Sequence, residues 1–271
     1  MILEDKNLLI GFLVILFSIM FAVIGIIITP FDPLSIKGPV LHPPSNKYLL
    51  GTDDLGRDVF AMLSRGILTS LFIGVVAALT TSVIGIFTGI IAGVYGGLTD
   101  FIIMRIVEFL LSMPSLVLAL ILVAILKPNI WNIVLILAVT GWPAITRIAR
   151  GYTLQVLTSG YIEAARSLGA DTKHIIFRHL IPASVPITLA SLVSSIRSAI
   201  LLEAGLSFLG LGDPSTISLG TILFYARRAA SLAAGAWWTF IPAGAMITLI
   251  VFGLTMISLG IERYSYRNMR T

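Results

Sequence analysis

Cysteine is absent from these 271 residues, and charge is scarce, with Asp, Glu, Lys and Arg together making 11%. The first absence excludes a disulfide framework, a thiolate metal site and a cysteine nucleophile. The second excludes a soluble domain of this length, since 57% of the chain is hydrophobic and its mean hydropathy is +1.02, far beyond ordinary globular composition. The three histidines, His42, His174 and His179, lie in polar stretches, a poor basis for a metal site or a convergent nucleophile and base. No G-x4-G-K-[ST] pattern occurs, so this chain binds no nucleotide phosphates by that route. Acids inside apolar runs are few, which argues against an ion-coupled secondary transporter with paired buried acids. The formal charge of +5 comes from Lys and Arg dispersed beside apolar runs. That is how the positive-inside bias places them, and it excludes a nucleic-acid face.

What is present is a series of membrane-length runs, each near the roughly 20 apolar residues that cross a bilayer. They predict an all-α polytopic membrane protein, one domain over 1–271, with spans at about 8–28, 67–94, 101–126, 130–149, 183–207 and 240–259. The run Leu8 to Ile28 exceeds a signal-peptide core of roughly 7 to 15 residues and lacks a small-x-small cleavage site, so it reads as a retained anchor. Loop 29–66 is rich in proline and carries Asp53, Asp54 and Asp58. These acids can hold a cation or cap a turn; the spacing fits no EF-hand, and a capped turn entering an interfacial helix is the better reading. In the second span Gly85, Gly89 and Gly93 recur every fourth position, in register with Ala77 and Thr81. Such a face lets another helix approach closely, and it reads as packing rather than as an unwound substrate site. Arg105 and Glu108 are spaced to pair at the membrane boundary, and Pro114 should kink the third span. Arg197 and Glu203 lie inside the fifth span, about 240° apart round a helix, so each needs its own partner. A polar translocation path would supply one; alternatively Glu203 anchors the helix at the outer interface. Segment 208–238 is outer, with an interfacial or re-entrant helix from Leu219 to Ala234 and a Trp237-Trp238 anchor.

Between the fourth and fifth spans, 150–182 is polar and basic. Tyr161 to Leu168 predicts a short helix with Thr158 or Ser159 as N-cap and Gly169 at a left-handed C-cap. Asp171 caps a second helix toward Leu180, before Pro182 opens the next segment. Ala164 and Ala165 leave that first helix nearly bare, flanked by Glu163 and Arg166, a knob suited to another protein's groove.

Glu163, Ala164, Ala165, Gly169 and Pro182 fall at the spacing of the signature loop of binding-protein-dependent ABC importers, E-A-A, three residues, G, nine residues, I-x-L-P. His179 and Ile181 stand where the pattern has Ile and Leu. Gly51 to Phe60, the stretch around Trp142-Pro143 and Leu206 to Gly212 resemble the dipeptide, oligopeptide and nickel subfamily of those permeases. Leu219-Gly220 departs from its Trp-Gly pair, and Ile261 to Tyr264 from its Asp-Gly-Leu-Arg-Asp ending. The resemblance implies a non-catalytic permease subunit in a prokaryotic cell membrane, with 150–182 as a cytoplasmic coupling-helix loop. It implies a second homologous permease, as a heterodimer, two cytoplasmic ATPases carrying ATP and Mg, and an extracytoplasmic binding protein, with no cofactor on this chain. Short peptides are the implied cargo, with nickel chelates or small oligosaccharides as alternatives. Both termini then lie inside, with Lys6, Arg105, Arg147, Arg150, Arg166, Lys173, Arg178, Arg263, Arg267 and Arg270, against seven basic residues outside.

Overall fold

Asp5 accepts a hydrogen bond from the Asn7 N–H and starts α1 (Lys6–Ile28), a helix without charge after Lys6 that leaves most of one side exposed. The computed structural model describes residues 5–30 and 32–268, without the side chains of 185–187 and 264–268. Arg270 and the side chain of Arg267, both counted above as inner charges, lie outside the described residues.

After α1 the proline-rich loop folds on itself through two isolated β-bridges, Ile36 to Arg57 and Thr52 to Asp58. Asp58 then caps α2 (Val59–Tyr95) by accepting from the Phe60 and Ala61 N–H groups. With that cap in place nothing interrupts the chain between the expected interfacial turn and the expected span at 67. The two are one helix of 37 residues, about 56 Å long at 1.5 Å per residue.

The third span departs further from expectation. Instead of one kinked helix over 101–126, α3 (Gly97–Ser112) and α4 (Ser115–Ile125) meet at 96°. Pro114 has no N–H to continue the ladder and drives Met113 into extended backbone, φ −94° and ψ 137°, so the helix breaks. In α5 (Ile130–Leu157), by contrast, Pro143 stays inside a continuous helix, which runs past the expected end at 149.

Two short elements follow, α6 (Gly160–Ser167) and α7 (Thr172–His174). A π-helical turn, Ile175–Leu180, then runs without a break into α8 (Ile181–Phe208). Pro182 therefore does not open a new segment. The wider turn, in which the Ile181 N–H reaches the Ile176 carbonyl, makes room for a ring that would clash in a regular ladder. A capping box of Ser218 and Thr221 begins α9 (Leu219–Arg228), which stops short of Ala234 because Ala230 turns to φ +48°. The last helix is α10 (Ile241–Asn268). Among the described residues, five helices are long and apolar enough to span, six if α3 and α4 form one broken span.

α2 runs through the middle. Near its start, Met62, Leu63 and Ile67 pack with Ile200 of α8, Leu219 and Ile222 of α9, and Ile250 of α10. Near its end, Ile90 joins Val156, Ile162, Ile175 and Leu180 around α6. Along its middle the glycine ladder receives α5: a Cβ on Gly85 would meet Ile145, one on Gly89 would meet Ala149, and one on Gly93 would meet Thr153. Thr88 and Thr146 add a hydroxyl contact of 2.7 Å across the same seam. In lipid, close backbone approach and interhelical hydrogen bonds are what hold helices together.

Candidate coupling site and cavity

α6 is held from beneath and open above. Ile162 is fully buried in the cluster with Ile90, Val156 and Leu180, a placement worth about 1.5–3 kcal/mol for a side chain of that size. Glu163, Ala164 and Arg166 are exposed and Ala165 is half-buried. The hydroxyl of Ser159 donates to the Val156 carbonyl, so the N-terminus has no side-chain cap, and Glu163 sits in the first turn, where a carboxylate suits the helix dipole. Gly169 takes φ +89°, and Ala170 donates to the Ala165 carbonyl at 3.0 Å, closing the C-terminus in the left-handed manner glycine permits. Asp171 accepts from the His174 N–H at 2.8 Å. The His179 ring lies tilted against those of Tyr161 of α6 and His174, with ring centroids 5.9 and 5.6 Å away. It therefore packs the π-helical turn against the knob at a position where the signature pattern has Ile. Pro182 is exposed at the foot of α8.

Beside the glycine ladder, Asp100 at the start of α3 takes both oxygens onto the guanidinium of Arg150 on α5. Nothing local in the sequence marks these partners, which stand 50 positions apart. Arg105 and Glu108 do meet, at 3.3 Å, on an exposed face.

A cavity of about 660 Å³ opens between α5, α8 and the α3–α4 break. Ser191, Ser194, Ser195 and Ser198 give it one hydroxyl-lined wall, with Thr140 and Ser115 opposite. Ser194 meets Ser258 at 2.9 Å, and Ser258 reaches Glu262 of α10, which also lines the space. The signal was present as polar residues at i, i+3, i+4 and i+7 within an apolar run. Neither Arg197 nor Glu203 is among the lining residues. Arg197 turns to Thr255 of α10 at 3.3 Å, and Glu203, 1% exposed, takes a bond from Ser207 at 2.7 Å.

At the α9 end, Arg57 is buried, bonds Asp53 at 2.6 Å and stacks over Tyr225 at 4.0 Å. Trp238 donates to the Thr52 carbonyl at 3.1 Å. Burial, and then the neighbouring Asp53, push the carboxyl of Asp54 above the usual carboxylate range, against the pull of Arg57. Replacing Arg57 by alanine should leave the Asp53 carboxylate buried without its partner, a change that typically costs about 3–5 kcal/mol. Limited proteolysis of the 29–58 loop is expected to speed up accordingly; cleavage at the parent rate would show that the pair does not hold the loop.

A model of the family described as "Binding-protein-dependent transport system inner membrane component" matches residues 85–271. The chain belongs to this family. The permease is 34% identical over 263 residues to the oligopeptide transport system permease protein OppC of Bacillus subtilis, covering 96% of this chain and 85% of that one. It is 34% identical over 267 residues to the di/tripeptide transport system permease protein DppC of Pseudomonas aeruginosa, with coverage of 96% and 87%. Its fold matches a chain of the MetNI methionine ABC transporter in an inward-facing conformation, with a TM-score of 0.61 at 20% identity over 75% of this chain and 94% of that one. It is thus a membrane-embedded permease subunit of an ABC importer.

Proposed function

We propose that this permease moves short peptides into a prokaryotic cell, paired with a second, homologous permease in a heterodimer. Two cytoplasmic ATPases carrying ATP and Mg drive the pair, and an extracytoplasmic binding protein delivers the cargo. The observation that carries the coupling role is α6, whose nearly bare exposed face stands on a buried Ile162 between the ends of α2, α5 and α8. A push on that face passes into three spans at once, which is what a rigid lever requires. The coupling residues are Glu163, Ala164, Ala165, Arg166 and Gly169, with Pro182 at the root of α8. Gly85, Gly89 and Gly93 form the packing seam on which α2 and α5 can shear. Both termini and α6 lie on the cytoplasmic side, the arrangement favoured by the basic residues.

Peptide as the cargo rests on the names of the relatives and on the chemistry of the cavity. Hydroxyls offer donors and acceptors to any peptide amide while making no demand on its side chains. We assign the translocation path to this serine wall, with Arg197 and Glu203 supporting α8 from behind. The chain itself supplies no catalytic group; hydrolysis belongs to the ATPases.

The test is to tag the chain, purify it gently from its native membrane, identify co-purifying chains by mass spectrometry, and measure ATP hydrolysis and uptake in proteoliposomes. The expected result is recovery of a second permease and ATPase chains, with uptake of labelled di- or tripeptide that excess unlabelled peptide competes and nickel does not. Recovery of this chain alone, with uptake following an ion gradient after ATP depletion, would overturn the importer reading. Competition by nickel or oligosaccharide alone would overturn the cargo.

A further inference from the structure

Glu203 is a buried acid in a span, beside Leu202 of the cavity wall, and transport as described above makes no use of it. Its two oxygens are divided between elements. One accepts from Ser207, a turn further along α8, and the other from Ser70 of α2 at 3.3 Å. The Ser70 hydroxyl in turn accepts from the Leu219 N–H at 3.1 Å, the first free amide of α9. Ser218 caps α9 beside this contact by accepting from the Thr221 N–H at 3.2 Å. Around them there is no spare room: a Cβ on Gly220 would lie 2.7 Å from the Ala204 backbone, and one on Gly212 would meet Ser207.

We propose that Glu203 is a positioning residue that clamps α9, in the outer segment, to α8 and α2, so that events on the outer face and in the cavity wall occur together. This rests on the importer reading. The chemistry explains why an acid stands where an apolar side chain would pack without penalty. A carboxyl group is tolerable at this depth only while its hydrogen bonds are made, and the first amide of α9 reaches it through Ser70. Any lifting of α9 breaks the Leu219 N–H bond to Ser70, the hydroxyl that α2 commits to the buried Glu203. The joint therefore resists partial opening and favours a whole-body movement of α9 with α8. Since α8 presents its serines to the cavity on one side and Glu203 to α9 on the other, a ligand-loaded binding protein seated on the outer face would act on the cavity wall through this contact.

The chain has no cysteine, so a single thiol reports without background from it. In the whole transporter, Ala226→Cys places that thiol on the buried face of α9, 7% exposed in the parent residue. Its rate of labelling by a membrane-impermeant maleimide reads the lifting of α9. Adding Glu203→Ala should speed labelling about tenfold or more, the effect of losing its two buried hydrogen bonds together. Glu203→Gln, which keeps an acceptor oxygen, should fall between. Ser70→Ala leaves the carboxylate its Ser207 bond and severs α2 and α9, and it should also speed labelling, with the Glu203→Ala and Ser70→Ala double variant no faster than the quicker single. Basal ATP hydrolysis should persist in Ser70→Ala and Glu203→Gln, while its stimulation by the loaded binding protein falls in the order of labelling. Parent labelling rates in both Glu203→Ala and Ser70→Ala would overturn the clamp. Faster labelling with stimulation intact would overturn the communication it is proposed to carry. If the parent itself recruits no ATPase, the importer reading fails, and labelling in membranes still decides the clamp.

Discussion

Leucine in place of Gly89 is expected to separate α2 from α5 and abolish a stable transporter. A side chain there begins with a Cβ 2.6 Å from that of Ala149, 2.7 Å from the Thr146 carbonyl and 2.9 Å from the Arg150 amide. Two of those three neighbours are backbone, which cannot swing aside as the tip of a flexible side chain can. Overpacking a tight contact typically costs about 1–3 kcal/mol, and here the strain is imposed on a seam that is equally tight at Gly85 and Gly93. The loss also reaches Thr88 and Thr146, whose hydroxyl contact needs the same separation. A sharp fall in monodisperse protein after detergent extraction, and a lowered thermal midpoint, are the expected readouts. Gly244→Leu is the control, since nothing lies within 4 Å of a Cβ at that position, and it should behave as the parent. Equal stability of the Gly89→Leu and Gly244→Leu proteins would remove the seam from the account of the fold.

The second large effect is on transport and leaves stability nearly untouched. Glu163→Lys reverses an exposed charge in the first turn of α6, with a dipole effect of only about 0.3–1 kcal/mol. Gly169→Pro is more severe locally, because proline holds φ near −65° while this residue sits at +89°, and because the Gly169 amide donates to the Arg166 carbonyl at 2.9 Å. Both changes fall at exposed positions of the α6 segment, away from the buried Ile162. Membrane insertion and yield should be normal, uptake should fall at least about tenfold, the factor that a 1.4 kcal/mol loss of ATPase docking produces, and ATP hydrolysis should cease to respond to cargo. Normal uptake in both variants would sink the lever.

The parts of this molecule that were legible in advance are those written in local spacing. The signature loop could be placed because Glu163, Ala164, Ala165, Gly169 and Pro182 are close in sequence and each has a backbone reason for its identity. The glycine ladder was legible for the same cause, since one helical face is a sequence pattern. Boundaries were less so. Pro114 and Pro143 look alike in sequence, yet one breaks its helix and the other does not; the difference lies in how each surrounding segment is packed. Pro182 misled for a related reason, because a π-helical turn can accommodate a ring that a regular ladder cannot. The partners of Asp100 and Glu203 stayed hidden altogether. Arg150 and Ser70 are 50 and 133 positions away, and only the packed fold brings them into reach.

α2 touches both ends of the molecule without interruption: Met62 and Ile67 belong to the cluster around α9, and Ile90 to the cluster under α6. An unbroken helix keeps its 1.5 Å rise per residue and neither shortens nor stretches appreciably along its axis. A displacement imposed at one tip must then arrive at the other undiminished and with no lag beyond the helix's own elastic response. The two faces of the membrane would share one clock, and intermediates in which only one of them has moved are disfavoured by the geometry of a single strut.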